Sequence, residues 1–175
     1  MPPPAKVEGL TVALRIIITG GTFDKHYDEL KGVLAFKNSH LPDIVKQVRI
    51  TEPVELEINQ LVDSLEMGDE SRKSVLDACR RSPEDRIVIT HGTDRMVETA
   101  KLLGPAALAK TIVLTGAMVP FSVSGSDALF NLGAAVLAST LLPHGVWVVM
   151  NGKSFAWNKV RKNYEKGYFE EIPPT

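Results

Sequence analysis

The chain has 175 residues, of which 44% are hydrophobic and 23% charged, and its formal net charge is −1. This length is enough for one domain with a sizeable hydrophobic core. The near-neutral charge argues against a nucleic-acid-binding protein, which needs a concentrated basic surface. Because Cys79 is the single cysteine, no intrachain disulfide can form, and we expect this thiol to fill space in the core.

Missing motifs exclude further classes. No His/Cys cluster has the spacing of a zinc site, and neither G-x-G-x-x-G nor G-x-x-x-x-G-K-[ST] occurs, so we expect no metal and no cofactor. No uncharged apolar run reaches the roughly 18 residues of a membrane span. The start, Met1 to Pro4, lacks the basic region of a signal peptide, and the cytoplasm is therefore the expected location.

The first part of the chain leads to a buried strand. Residues 1–14 contain prolines without periodicity, which predicts an irregular amino-terminal tail. A β-branched apolar run predicts the first strand at Arg15–Thr19. The polar stretch 23–32 predicts a mobile loop over a site, and Val33–Phe36 predicts a short strand or half of a hairpin.

Strands and helices then alternate at regular intervals. In chain order we predict a helix at Pro42–Val48, a strand at Val54–Ile58, a loop at Leu61–Met67, a helix at Glu70–Arg81, a strand at Arg86–Thr90, a helix from Thr93 and Asp94 to Leu103, a strand at Thr111–Thr115, a helix from Ser126 to Thr140 and a last strand at Val146–Met150. This alternation is typical of a doubly wound α/β layer with right-handed crossovers, and it predicts a single domain over residues 15–175.

Three predicted strands end in glycine-bearing turns: Gly20-Gly21-Thr22, His91-Gly92-Thr93-Asp94 and Gly116-Ala117-Met118. Parallel strands place such turns at one edge of the sheet, where ligands bind, so two hydroxyls and a carboxylate can converge there. A threonine hydroxyl is a weak nucleophile until a base takes its proton, and a lysine near Asp94 or a tyrosine phenol could do so. The alternative interpretation is helix capping, for which Thr and Asp are favoured residues.

These segments resemble the amino-terminal domain of the bacterial-type L-asparaginase family. The resemblance rests on residues 18–22, Ile-Thr-Gly-Gly-Thr, and on residues 88–100, with support from residues 114–120, from Ser126-Asp127 with Phe130-Asn131-Leu132, and from residues 148–151. It runs from about Arg15 to Lys162 in the same order. It implies a three-layer, doubly wound, mostly parallel α/β sheet of the Rossmann or flavodoxin type.

The resemblance also implies a reaction, the hydrolysis of L-asparagine, or less readily glutamine, to the acid and ammonia through an acyl-enzyme. By position, Thr22 would be the nucleophile and Tyr27 its activating partner. A second triad of Thr93, Asp94 and Lys162 would activate Thr93 or the attacking water. Three other lysines compete for the last role: Lys153, Lys159 and Lys166.

Substrate contacts are implied in the same way. The pair Asp63-Ser64 resembles the loop that holds the substrate's α-carboxylate and α-amine, with capping of the following helix as the alternative. The full implied set is Gly21, Asp63, Ser64, Gly92, Thr93, Asp94 and Ala117. Two departures affect the substrate: Leu65 stands where many members have a polar residue, and Phe23-Asp24-Lys25 follows the nucleophile where small residues are common.

Members of the family have a second, smaller carboxyl-terminal domain, whereas this chain stops at Thr175. We therefore expect one domain whose site is completed by another copy in a homo-oligomer, a dimer or tetramer. The expected partner is a small amino-acid amide, with no nucleic acid and no membrane. Two alternatives to asparagine hydrolysis stay open: the same chemistry on glutamine or another small amide, and a binding module that senses an amino acid without cleaving it.

Overall fold

A computed structural model of the protein describes residues 13–173. Within these residues the strands, numbered in chain order, are β1 Leu14–Gly20, β2 His26–Asp28, β3 Val33–Ala35, β4 Val54–Val62, β5 Arg86–Thr90, β6 Thr111–Thr115, β7 Gly145–Met150, β8 Lys153–Ala156, β9 Val160–Asn163 and β10 Tyr168–Glu171. The α-helices are α1 Leu41–Gln47, α2 Asp69–Arg81, α3 Met96–Leu103 and α4 Ala128–Leu141. Of the predicted tail, residues 1–12 lie outside the described part, and Leu14 already belongs to β1.

The main sheet has six strands in the order β4-β1-β5-β6-β7-β8. The first five are parallel, and β8 joins β7 in antiparallel orientation at one edge. Separate antiparallel hairpins are formed by β2 with β3 and by β9 with β10. The predicted mostly parallel α/β sheet is confirmed.

Side chains that alternate along β1 fill two separate cores. Ile16 and Ile18 lie on the face covered by α1 and α4, whereas Ile17 lies on the opposite face with α2 and α3. All three are fully buried. Cys79 of α2 is also buried in the second of these cores, and burial raises the pKa of its thiol to about 12, which confirms a packing role. The helices on both faces complete a three-layer fold.

The chain path has a switch point between two central strands, β1 and β5, and the edge of the sheet beside it is called the crevice below. β1 pairs with β4 on one side and with β5 on the other, and the connections from β1 and β5 lead away in opposite directions. Open α/β sheets bind ligands at such a switch point, outside the carboxyl ends of the strands. Thr22 follows β1 and Thr93 follows β5, so both predicted hydroxyl groups lie at this crevice.

Most predicted helices and strands agree with the structure to within a few residues, but β4 is longer than expected. It continues to Val62, so the predicted loop at Leu61–Met67 begins as strand. β4 is an edge strand of intermediate burial, and its apolar alternation is therefore weak. Its pairing with β1 shifts register and resumes at Gly20 opposite Val62, which extends the strand beyond the alternating part.

The predicted mobile loop at 23–32 has a fixed base. Phe23 and Asp24 are both fully buried, and Thr22–Asp24 form a short 3₁₀ turn. The Asp24 Oδ1 atom accepts hydrogen bonds from Ser39 Oγ at 2.9 Å and from the His40 backbone N–H at 2.8 Å. Beyond this base, β2 and β3 form an exposed hairpin, which was one of the two predictions for residues 33–36.

The strand β7 was predicted to be the last one, and this prediction was wrong. It is followed by β8, β9 and β10, which are each four residues long and rich in charged or polar side chains. The sequence therefore has no apolar alternation that would predict these strands. The β9–β10 hairpin is anchored by Val160 and Phe169, which are buried in the core on the α2–α3 face. No helix among residues 13–173 is long and apolar enough to cross a bilayer.

We expect Phe169→Ala to lower the free energy of unfolding by about 3 kcal/mol, because it leaves a cavity where a side chain only 1% exposed now packs. The matched control is Tyr168→Ala, since the neighbouring side chain is 36% exposed and points to the other face of β10. Urea unfolding of both variants measures the difference. Equal losses of stability would contradict the anchoring role of Phe169.

Candidate active site

Three turns touch at the crevice through glycine backbone. Gly21 has a φ of +70°, and a β-carbon there would overlap the backbone of Gly92. A β-carbon on Gly92 would in turn overlap the side chain of Ser64. The turns after β1, β4 and β5 therefore approach one another so closely that only glycine fits at the two contacts.

The turn after β6 completes the rim. Gly116 lies against the carbonyl oxygen of His91. Asp127 accepts hydrogen bonds from the backbone N–H groups of Met118 and Val119, each at 3.0 Å, and so fixes this turn. Ala117, a predicted substrate contact, is fully buried, so it has no surface open to solvent in this structure.

A lysine from the edge hairpin joins the threonine and the aspartate that follow β5. Lys162 Nζ lies 2.8 Å from Thr93 Oγ1 and 2.7 Å from Asp94 Oδ1, and it donates to both oxygens. Its side chain is only 6% exposed. The structure thus brings together the three residues of the predicted second triad. Among the lysines that competed for the position, Lys162 makes these contacts.

Thr93 and Asp94 do not cap a helix. The helix predicted to start at these residues starts at Met96, and its N-cap residue, Arg95, makes no side-chain capping bond. The backbone N–H of Arg95 donates instead to Ser64 Oγ at 3.3 Å. Hydrogen bonds to Ser64 and Lys162, which lie outside this turn, fix its conformation. Thr93 and Asp94 therefore stay in a non-helical segment at the rim of the crevice.

Tyr164 is a neighbour of the triad that the sequence reasoning missed. Its hydroxyl donates to the Asp94 carbonyl oxygen at 2.8 Å, and its ring centre lies 5.2 Å from Lys162 Nζ. Reduced contact with water raises the pKa of Tyr164, so its hydroxyl stays a donor at neutral pH. The only sequence feature that could have identified Tyr164 is its position two residues after Lys162, just beyond the end of β9.

A buried histidine orients the turn that carries Thr93. His91 Nδ1 lies 2.8 Å from the Gly92 carbonyl oxygen, and its Nε2 lies 2.8 Å from Thr99 Oγ1. A carbonyl only accepts, so Nδ1 carries the proton, and Nε2 accepts from the threonine hydroxyl. Burial lowers the pKa of His91 to about 4, which keeps the ring neutral.

The first predicted pair, Thr22 with Tyr27, is not assembled in this structure. Thr22 is partly exposed, and within residues 13–173 no hydrogen bond joins it to Tyr27. Tyr27 lies on β2 opposite Leu34, is 61% exposed and lines a surface cleft of about 340 Å³ on the hairpin. Its assignment as the activating partner stays a prediction that requires the hairpin to move.

Asp63, one residue of the predicted substrate-binding loop, already pairs with a cation of the protein. Asp63 Oδ2 accepts from Lys25 Nζ at 2.6 Å, and its Oδ1 accepts from the Leu65 backbone N–H at 3.0 Å. Asp63 thereby caps the short 3₁₀ turn Ser64–Glu66, whereas the N-cap residue of α2 is Gly68. The ammonium of Lys25 lowers the pKa of Asp63, and the sequence reasoning did not identify this pair.

We expect acid to destabilise the protein through His91. Between pH 6.5 and 4 the unfolded chain binds a proton at this ring that the folded chain does not, so stability falls by about 3 kcal/mol as the pH falls through this window. His91→Gln keeps a donor and an acceptor without a titrating ring, and its stability should fall less steeply. His144→Gln is the control, since His144 is exposed. Urea unfolding at several pH values measures the slopes; parallel slopes for wild type and His91→Gln would contradict the assignment.

Comparison with known proteins reveals relatives described as amidotransferase subunits and as asparaginases. A glutamyl-tRNA(Gln) amidotransferase polypeptide of Aeropyrum pernix is 32% identical over 148 residues, which cover 79% of this chain and 35% of that protein. The glutaminase-asparaginase of Acinetobacter glutaminasificans is 40% identical over 94 residues, which cover 51% of this chain and 28% of that protein. This chain thus spans about a third of the length of these relatives.

Solved structures show the same architecture. The thermostable L-asparaginase from Thermococcus kodakarensis superposes with a TM-score of 0.80 at 28% identity, covering 91% of this chain and 51% of that one. The probable cytoplasmic L-asparaginase from Campylobacter jejuni gives a TM-score of 0.76 at 30% identity, again covering 91% and 51%. Residues 13–168 match the family profile described as asparaginase, N-terminal, and the chain therefore belongs to the asparaginase family.

Proposed function

We propose that the protein is an amidohydrolase that releases ammonia from a small carboxamide through a threonine nucleophile and an acyl-enzyme. The observation that carries this proposal is the position of Lys162, which bridges Thr93 and Asp94 at the rim where Thr22 also lies. A hydroxyl, an adjacent lysine and a carboxylate that orients the lysine are the parts that activate a hydroxyl or a water. The names of the relatives make L-asparagine the first substrate to test and glutamine the second.

The proposed reaction has two steps. In the first, Thr22 Oγ attacks the amide carbon, a C–O ester bond forms, the C–N bond breaks, and the hydroxyl proton leaves with the nitrogen as ammonia. In the second, water attacks the ester carbon, which releases the acid and restores the Thr22 hydroxyl. The triad of Thr93, Lys162 and Asp94 would take the proton of the attacking group, and Gly21, Ser64 and Gly92 would shape the pocket.

Thr22 needs a partner that accepts its proton, and Tyr27 is our candidate. We propose that the β2–β3 hairpin closes over the crevice when a substrate binds and brings the phenol to Thr22. The exposure of the hairpin supports this motion, and the buried base at Phe23 and Asp24 supplies a fixed pivot. Within residues 13–173 no hydrogen bond engages the Thr22 hydroxyl, and this also favours the second candidate function, a module that binds an amino acid without cleaving it.

Self-association and a cytoplasmic location are further proposals. The helix α4 has no charged residue over its 14 positions, and it exposes Leu129, Phe130, Leu137 and Leu141. Exposed apolar surface of this kind marks an interaction site, and we propose a second copy of the chain as its partner. The location is suggested by the relative from Campylobacter jejuni, which is described as probably cytoplasmic.

We expect Thr22→Ala to lower kcat for ammonia release by at least about a thousandfold without loss of stability, because the nucleophile is removed. Thr22→Ser is the matched control, since it keeps a hydroxyl, and it should retain far more activity. A coupled ammonia assay with L-asparagine and glutamine measures both variants. Near wild-type turnover by Thr22→Ala would refute the nucleophile, whereas calorimetric binding of asparagine without ammonia release would favour the binding module.

We expect Lys162→Met to lower kcat by at least about a hundredfold, which is the typical contribution of a positioned acid or base. Lys166→Met is the control because this lysine lies in the turn of the same β9–β10 hairpin, is exposed and, in the described structure, bonds to neither Thr93 nor Asp94. The ammonia assay compares the two variants at equal protein concentration. A similar small effect of both substitutions would show that Lys162 is only a structural cation.

A further inference from the structure

We infer that Asn151 is a positioning residue, which holds Lys162 in place through a chain of hydrogen bonds that begins at the buried amide of Asn131. This inference rests on the proposed role of Lys162 in amide hydrolysis. The two asparagines lie on α4 and in the turn after β7, and neither was predicted to belong to the site. Their effect on the site follows from the bonds that connect them to it.

The side chain of Asn131 joins three segments of the fold. It is 1% exposed, and its Nδ2 donates to the Gly116 carbonyl oxygen at 3.0 Å and to Asp127 Oδ2 at 2.9 Å. Its Oδ1 accepts from the Asn151 backbone N–H at 3.2 Å. Two acceptors beside Nδ2 and one donor beside Oδ1 settle the orientation of the amide. Asn131 therefore ties the turn after β6, at the rim of the crevice, to the turn after β7.

The side chain of Asn151 extends this connection to β10. Its Oδ1 accepts from the Phe169 backbone N–H at 3.1 Å. Phe169 is 1% exposed, and a buried N–H group needs an acceptor. Within residues 13–173, this is the only hydrogen bond from the backbone of the β9–β10 hairpin to another element. Asn151 therefore sets the position of the hairpin backbone relative to the main sheet.

The point that Asn151 holds is next to the catalytic cation. Phe169 lies directly opposite Lys162 in the antiparallel hairpin, so a shift of β10 at Phe169 also moves Lys162. Lys162 Nζ must reach two oxygens at once, Thr93 Oγ1 at 2.8 Å and Asp94 Oδ1 at 2.7 Å. Misplacement of a reacting group by about 1 Å can cost about a hundredfold in rate. The bond from Asn151 thus acts on catalysis through the position of Lys162.

The backbone conformation of Asn151 permits a clean test of its side chain. Its φ is +57°, in the left-handed region that Asn, Asp and Gly adopt most readily. Asn151→Gly suits this φ and removes the acceptor, whereas Asn151→Asp suits it and keeps an oxygen in the same place. Both variants retain the backbone N–H that bonds to Asn131. The two variants therefore differ in the bond to Phe169.

The test compares ammonia release by the two variants of the full chain with L-asparagine and glutamine. Asn151→Gly should lower kcat at least about tenfold with KM nearly unchanged, because a displaced Lys162 affects the transition state more than substrate binding. Asn151→Asp should stay near wild type. Asn163→Ala is the control, since its side chain bonds to Glu170 and to the Lys166 N–H within the same hairpin.

Acetylation of Lys162 separates failure of this inference from failure of the proposed function, because it requires no turnover. In wild type, acetic anhydride should modify Lys162 at least about tenfold more slowly than the exposed Lys166, since a side chain that is 6% exposed reacts mainly through local opening. Asn151→Gly should raise the Lys162 rate, measured by mass spectrometry, at least about threefold, and Asn151→Asp should not.

Each outcome decides one of the two proposals. If wild type releases no ammonia, the hydrolase proposal fails, and the acetylation rates still decide whether Asn151 positions Lys162. An unchanged Lys162 acetylation rate in Asn151→Gly, or an equal rise in both variants, would overturn the inference. In an active enzyme, a wild-type kcat for Asn151→Gly would overturn it as well.

Discussion

The close approach of two glycine turns is the constraint on which the rest of the site depends. Gly21 and Gly92 bring the chain after β1 against the chain after β5, and neither position has room for a β-carbon. Thr22 and Thr93 are the next residues along each turn, so this contact sets the separation of the two hydroxyl-bearing segments. The left-handed φ of +70° at Gly21 adds a second reason for glycine, because other residues are strained there.

The position of Lys162 depends on packing far from the crevice. The lysine belongs to β9, opposite Phe169 of β10, and the hairpin is anchored to the core by Phe169 and Val160. A lysine side chain that is 6% exposed would be unfavourable without partners, and here two oxygens satisfy it. Core packing and site geometry are thus coupled, because loosening the hairpin would also withdraw the cation from Thr93 and Asp94.

The sequence was sufficient for the parts of the fold that have strong local patterns. The β-branched runs of β1, β5 and β6 and the glycines that follow them predicted both the parallel sheet and the edge at which Thr22 and Thr93 lie. The short strands β8 to β10 were missed, because they alternate weakly and are defined by pairing rather than by composition. The buried Phe23 and Asp24 were missed for a related reason, since polar neighbours obscured the anchored base of the hairpin.

Predicting the contacts between residues that are distant in the sequence required more than local patterns. Lys162 and Thr93 are 69 residues apart, and only the resemblance to a family singled out this lysine among several. Lys25 and Asp63 are 38 residues apart, and neither spacing nor resemblance indicated their pairing. Such contacts depend on which strand ends become neighbours, and that is set by the strand order β4-β1-β5 rather than by any one segment.

The charged side chains of the crevice form two ion pairs whose lysines differ in exposure. Lys162 with Asp94 and Lys25 with Asp63 form two neutral pairs, one behind Thr93 and one beside Thr22. The side chain of Lys162 is 6% exposed against 20% for Lys25, whereas Asp94 at 36% is more exposed than Asp63 at 28%. The second pair is open to solvent on both partners, and a bound molecule can therefore compete for it. Lys162 is therefore held in place by the protein, whereas Lys25 can exchange part of its contact with Asp63 for water or for a bound molecule.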